Sequence, residues 1–242
     1  VKHKKIASIV LAAGMSSRMK EGKTKCLKYI SDNETIIERT LRQHKDDLSV
    51  IKTYISTGFE SKRFEMYNSK NVETVFNEDY KKDKNIKSCF LCLDKLFNDN
   101  IEFDHVIISE GDVIISNEDI DNLKKLDIEL GKDYIVVENI NSSNQNRIGC
   151  IDKTNKIYLR ENVNQTNDDR MSGIFILSFK TAKELRDIQK NILENTMGLY
   201  YFQPLTISFL NNCKYQFSRI LFNKSFTVNN KEEFAWAKNQ IN

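Results

Sequence analysis

The stretch IVLAAGMSSRMKEGKTKCL, Ile9 to Leu27, decides how the rest of the chain is read. It contains Gly22-Lys23-Thr24, the closing letters of an NTPase phosphate loop. Such a loop needs another glycine five positions before its last one, because consecutive N–H groups wrap the β-phosphate. Ser17 stands there instead, and the only upstream glycine of the loop is Gly14. The Gly-Lys-Thr triplet is therefore a coincidence of composition, and it reads as a solvent-facing part of a different loop. Just before it, Lys5–Leu11 is an apolar run ending at the glycine, as a buried parallel strand does.

In open α/β sheets, ligands bind beyond the carboxyl ends of strands, where loops and helix N-termini offer free N–H groups. The loop from Ala12 to Met19 has that place. Ala12, Ala13 and Gly14 let the backbone approach a phosphate, Ser16 and Ser17 can donate hydrogen bonds, and Arg18 adds a fixed positive charge. Lys25 supplies a second cation. The set suits a triphosphate, and it equally describes a strand–helix turn with surface serines and cations.

Working outward, the first half alternates. Helical spacing appears in Asn33–Lys45 through Ile36, Ile37, Leu41 and His44, and Val50–Thr57 and Val72–Phe76 read as strands. Ile86, Cys89, Phe90, Leu93 and Phe97 mark the clearest helix, with Asn85 at its N-cap position. Val106–Ser109 is a strand running into Glu110-Gly111-Asp112, and Ser116 with Asp119 opens another helix. This alternation predicts an α/β fold with a mostly parallel sheet flanked by helices. In the second half, Tyr134–Glu138, Arg147–Ile151, Lys156–Arg160, Met171–Ser178, Tyr215–Leu221 and Phe226–Val228 read as extended. Helices are expected from Thr181 (with Glu184), over Tyr200–Leu210 and over Lys231–Gln240.

Composition excludes several classes. With 242 residues, one proline and eight glycines there is no linker to separate two domains. A net charge of +3 is too mild to argue for a nucleic-acid or membrane surface, and the basic pairs read as solvated faces. No apolar run approaches the roughly 20 residues of a membrane span. Five scattered cysteines argue against a disulfide framework and for a reducing cytoplasm. Cys89 and Cys92 fall inside the apolar helical repeat and read as buried thiols, and the three histidines form no ligand cluster.

The segment LAAGMSSRM followed by TKCL resembles the signature of the nucleotidyltransferase superfamily, LAAG-x-G/S-x-R-M/L and then P-K-x-L. The resemblance implies a Rossmann-like, GT-A-like fold. It puts nucleotide binding on Leu11, Ala12, Ala13, Gly14, Met15, Ser16 and Ser17, pyrophosphate neutralisation on Arg18, and a phosphate contact on Lys25. Thr24 replaces the family's proline, which implies a looser loop. VFNEDYKKDKNIKSCFLCL (Val75–Leu93) is similar to the nucleotide-proximal helix start of bacterial phosphocholine cytidylyltransferases, implicating Asn85 and Ser88. IISEGDVIIS resembles the strand end carrying the metal-binding aspartate, here Asp112. RMSGIFILS resembles the strand whose Ser-Gly lines the acceptor pocket, here Ser172 and Gly173. FTVNNKEEF puts Asn229 where the family has a second metal-binding aspartate. An amide is the weaker Mg²⁺ ligand, so Asn229 ligates weakly, Glu110 helps, or Asp112 works with phosphate oxygens and water.

The resemblance implies one domain over 1–242, with a nucleotide-binding half (1–130) and a smaller acceptor-binding β/α half (131–242). Its expected reaction is Mg²⁺-dependent transfer of a nucleotidyl group from an NTP, CTP first, to phosphocholine or 2-aminoethylphosphonate. Tyr200 and Tyr201 sit where phosphocholine enzymes have an aromatic pair that holds a quaternary ammonium; two core-facing tyrosines are the other reading. Phe202 replaces an aspartate, and Asp168 and Asp169 are either aids to an amine or loop solvation. Two alternatives stay open: a sugar-1-phosphate or molybdopterin acceptor, and a non-catalytic nucleotide-binding module. A chain opening on Val1 leaves room for fusion to, or co-operation with, another enzyme of the pathway.

Overall fold

The apolar run that ends at the glycine loop becomes β1 (Ile6–Leu11), whose last five residues are buried. In the computed structural model, residues 4–15, 24–83, 85–138, 148–154, 156–160, 169–195, 216–228 and 231–241 are described. The expected helix over Tyr200–Leu210, and Ser16, Ser17, Arg18, Asp168, Tyr200, Tyr201, Phe202 and Asn229, lie outside them.

Beside β1 run β2 (Lys52–Thr57) and β3 (Val72–Phe76) on one side and β4 (His105–Glu110) on the other. Beyond β4 come β9 (Asp169–Ser178), β6 (Asp133–Glu138) and β10 (Phe217–Phe222), so the order is β10-β6-β9-β4-β1-β2-β3. Along that path only β9 runs antiparallel. A hairpin of β7 (Ile148–Ile151) and β8 (Ile157–Arg160) joins through β9. Two short strands, β5 (Val113–Ile114) and β11 (Phe226–Thr227), form a separate antiparallel ribbon. The mostly parallel sheet expected from the alternation is present.

Successive side chains of a strand face opposite sides, and the core splits accordingly. Ala7, Ile9, Leu11, Val106 and Ile108 face α2 (Ile86–Asn98) and α4 (Phe179–Asn195). Val10, Ile55, Ile107 and Ile176 face α1 (Ile36–Arg42) and α3 (Asn117–Lys125). Ile86, Cys89 and Leu93 of the predicted repeat are wholly buried, as are Cys92 and Leu96, whereas Phe90 and Phe97 are only partly buried. Each such leucine stabilises the fold by about 1.5–3 kcal/mol. A last helix, α5 (Lys231–Ile241), follows β11. Among the described residues no helix is long and apolar enough to cross a membrane.

Two helix starts differ from the sequence reading, and at a third the capping side chain does. The first helix begins after Thr35, not at Asn33, because Thr35 and Glu38 complete a reciprocal capping box. α4 begins at Phe179, two residues before Thr181. There Asp133 accepts from the Ser178 N–H at 2.7 Å and from the Thr181 hydroxyl at 2.6 Å. α2 starts at Ile86 with Asn85 at the N-cap position, as read, but Asn85 takes φ of 75° and its side chain makes no capping bond. Asp83 does that work, accepting from the Lys87 and Ser88 N–H groups at 3.0 and 2.8 Å.

Candidate active site

The chain turns from β1 to β2 and β3 on one side and returns to β4 on the other. That reversal opens a crevice at the carboxyl ends of β1 and β4, where ligands bind in such sheets. Leu11, paired with Glu110, ends the two strands side by side. Leu11, Ala12 and Ala13 are buried, whereas Gly14 has open space around it and Met15 is 41% exposed. The loop thus leaves the core at Gly14.

Gly111 locks this crevice together. Its N–H donates to the Leu11 carbonyl at 2.9 Å. A β-carbon there would lie 2.8 Å from both the Leu11 oxygen and the Cys26 sulfur. Only glycine lets the turn carrying Asp112 approach the 3₁₀ turn Lys25–Leu27 this closely. Burial pushes the Cys26 thiol up to about 12, so it is a packing residue and no nucleophile.

Lys25 and Asp112 meet across this contact. The Lys25 ammonium donates to Asp112 Oδ2 and, at 2.9 Å, to the Val228 carbonyl. Their side chains are only 11% and 15% exposed. The Val228 N–H donates back to the Asp112 carbonyl at 2.9 Å, extending the β5–β11 ribbon by one pair. The candidate ligand Asn229 follows directly in sequence. Asp119 aims the ribbon: its carboxylate accepts from the N–H groups of Asn223 and Lys224, both at 2.9 Å, and from the Ser225 hydroxyl at 2.6 Å. On the other side, Arg39 and Gln43 hold the Ile115 carbonyl at 3.1 and 3.0 Å.

Thr24 corrects the reading of a looser, solvent-facing loop end. It is 1% exposed, and its N–H donates to Glu60 at 2.7 Å, a bond that proline lacks the hydrogen to make. The tie immobilises the residue before Lys25 in another way than ring closure.

Ser172 and Gly173 form a bulge. The register of β6 and β9 shifts between Ile135 and Val137, and the Ser172 hydroxyl donates to the Val136 carbonyl at 3.1 Å. Gly173 takes φ of 82°, which a side chain would oppose. A β-carbon on it would lie 3.2 Å from the Glu110 carboxyl group, so the glycine leaves room for that acid. The Ser172 hydroxyl is thus engaged by the sheet.

Sequence reasoning missed Glu138, Arg170 and Thr227. Glu138 ends β6 opposite Arg170 of β9, with 3.5 Å between Oε2 and Nε. The Thr227 hydroxyl lies 3.5 Å from Glu138 and donates to the Ser172 carbonyl at 3.3 Å. Burial outweighs the Arg170 attraction and pushes the Glu138 carboxyl up to about 7. The available signal was a charged residue closing an otherwise apolar strand.

Asn85 and Ser88 stand at the other end of the edge, beyond β3. Ser88 is buried, donating to Asp83 at 2.7 Å and accepting from Asn77 at 2.9 Å. Its hydroxyl braces the turn, and Asn85 is the more open of the two. Among the described residues no three His, Cys, Asp or Glu side chains converge as a ready-made metal cage. The oxygen donors at hand, Asp112 foremost, suit a hard cation that keeps water and substrate oxygens in its shell.

Residues 8–142 match the model of the MobA-like NTP transferase domain. No curated protein matches the sequence. Solved structures similar to this chain include CTP:phosphocholine cytidylyltransferase from Streptococcus pneumoniae. It has 16% identity, a TM-score of 0.72, and covers 98% of this chain and 100% of its own. A protein from Bacillus anthracis described as a glucose-1-phosphate thymidylyltransferase, in complex with sucrose, has 14% identity and a TM-score of 0.72, covering 97% and 94%. The inositol-1-phosphate CTP transferase from T. maritima has 13% identity and a TM-score of 0.68, covering 100% and 98%. These likenesses speak for the fold.

Proposed function

The chain belongs to the MobA-like NTP transferase family, and on that footing we propose that it transfers a cytidylyl group from CTP to a small phosphorylated alcohol or phosphonate. The observation that carries this reading is the junction of Lys25, Asp112 and Val228 at the carboxyl edge of β1 and β4. It brings a cation, a carboxylate and the approach to Asn229 beside the loop that leaves the core at Gly14. Two of the similar structures are of CTP-using enzymes, one of them acting on phosphocholine. The Glu110 carboxyl group, 3.2 Å from where a β-carbon on Gly173 would lie, sets an acid beside the Ser172-Gly173 bulge, which favours an acceptor with a cationic amine over a neutral sugar.

In the reaction, an acceptor phosphate oxygen attacks the α-phosphorus; a new P–O bond forms as the bond to pyrophosphate breaks. A phosphate monoester is already anionic, so no strong base is needed, and the site's task is to align two anions. Lys25 would draw the phosphates into the crevice, and Arg18 would neutralise the departing pyrophosphate. Backbone N–H groups of residues 12–15 would fix the nucleotide, with the close approach that Ala12, Ala13 and Gly14 allow. Mg²⁺, held by Asp112 and more weakly by Asn229, would supply further positive charge at the phosphates.

The test is pyrophosphate release from each of four NTPs against phosphocholine, 2-aminoethylphosphonate and several sugar-1-phosphates. Highest turnover with CTP and an amine-bearing acceptor is expected. Asp112→Asn and Lys25→Ala should each lower turnover by about 10²–10³ or more, the scale of one transition-state contact, with an unchanged circular dichroism spectrum. Preference for a sugar-1-phosphate would replace the acceptor. CTP binding without pyrophosphate release from any acceptor would leave a nucleotide-binding module.

A further inference from the structure

The ammonium of Lys25 has an unusual seat. It lies on Asp112 Oδ2 and on the Val228 carbonyl, one residue before Asn229, with both members of the ion pair largely shielded from water. These groups also frame the position from which Asp112 would reach a divalent cation. An ammonium and a divalent cation repel, and the low local dielectric makes that repulsion strong. Nor can Lys25 easily retreat into bulk water along its own stem. Its 3₁₀ turn is pinned by Cys26 against Gly111 and by the Thr24 bond to Glu60.

We propose that Lys25 and a divalent cation exclude one another at Asp112, so that the metal is taken up together with nucleotide phosphates, which give the departing lysine a new anionic partner. Resting on the reading of Asp112 as a metal ligand, this adds a coupling that the reading does not require. Lys25 is then a placeholder cation before it is a phosphate contact. It keeps the Asp112 carboxylate paired and the end of β11 attached when no nucleotide is bound. Metal and nucleotide each raise the affinity for the other, because both must act for the lysine to change partners.

The experiment is Mn²⁺ binding to the whole chain without nucleotide, read from the loss of the free-ion electron paramagnetic resonance signal. Lys25→Met removes the competing charge at similar size and should bind Mn²⁺ about tenfold or more tightly than wild type, the scale of a largely buried charge pair. Lys25→Gln retains a donor for Asp112 and Val228 and should behave alike if the methionine variant folds poorly. Adding Asp112→Asn to either should remove the gain. If the variant that folds binds Mn²⁺ no more tightly than wild type, the exclusion is overturned and the assignment of Asp112 can still stand. If the tighter binding survives Asp112→Asn, the assignment of Asp112 itself falls.

Discussion

Replacing Glu138 with glutamine should change how stability depends on pH more than how large it is. Folded Glu138 titrates at about 7 against an ordinary 4.5, because burial disfavours its charge more than Arg170 favours it. The folded chain therefore holds a proton that the unfolded chain has released. Stability from this group is complete below about pH 4.5 and is lost as the pH rises to about 7. A shift of about 2.5 units corresponds to roughly 3 kcal/mol. His44 works in the opposite sense. Buried beside the Ser8 hydroxyl, its ring is pushed down to about 4 from 6.5. Stability from it is lost as pH falls from about 6.5 to about 4, again by roughly 3 kcal/mol. In the wild type the two slopes largely cancel between pH 4.5 and 6.5. Glu138→Gln removes one of them and leaves the amide in the same space. Urea unfolding at half-unit steps from pH 4 to 8 should show the variant gaining about 3 kcal/mol relative to wild type as the pH rises from 4.5 to 7. A variant-to-wild-type difference that stays constant over that range would refute the reasoning. It would mean that the Arg170 guanidinium at 3.5 Å outweighs burial.

Other substitutions read out single contacts. Gly111→Ala forces a β-carbon to within 2.8 Å of the Leu11 oxygen and the Cys26 sulfur. It should cost about 1–3 kcal/mol in urea unfolding and lower turnover, by separating Asp112 from Lys25. Asp83→Ala removes the acceptor for the first turn of α2 and should cost about 2 kcal/mol by thermal unfolding. Asn85→Gly, at a left-handed position with no capping bond, should be neutral to stability or raise it slightly. A larger loss from Asn85→Gly than from Asp83→Ala would reverse the capping assignment.

The central strands β1, β4, β6 and β9 were legible because each carries an apolar run that crosses a sheet covered on both faces, whereas β5, only Val113–Ile114, was too short to read as a strand. Helix starts were less legible, since several residues near each start are plausible caps and tertiary contacts choose among them. Thr35 wins over Asn33 because Glu38 stands three positions on; Asp83 wins over Asn85 because Asn77 and Ser88 lie within its reach. The helix start at Phe179 could not be read locally, since its bracing acid, Asp133, belongs to another strand. The candidate site divides in the same way. Lys25 and Asp112 were singled out by resemblance to a known signature, not by spacing, as 87 positions separate them. Glu138, Arg170 and Thr227 come together only through the register of β6 against β9 and the path of β11. Ser172-Gly173 was visible as a motif, yet the bulge it builds shows only when the two strands are paired.

The ribbon of β5 and β11 bears on how the protein is made. Phe226 and Thr227 pair with Ile114 and Val113, so the partner of the Asp112 turn is translated more than a hundred residues after it. A nascent or proteolysed chain ending before Phe226 would carry the glycine loop, Lys25 and Asp112, but would lack the carbonyl and N–H of Val228 that hold them. Such a fragment contains the strands of the main sheet and still has no assembled junction, so the site is completed only once Val228 has been added.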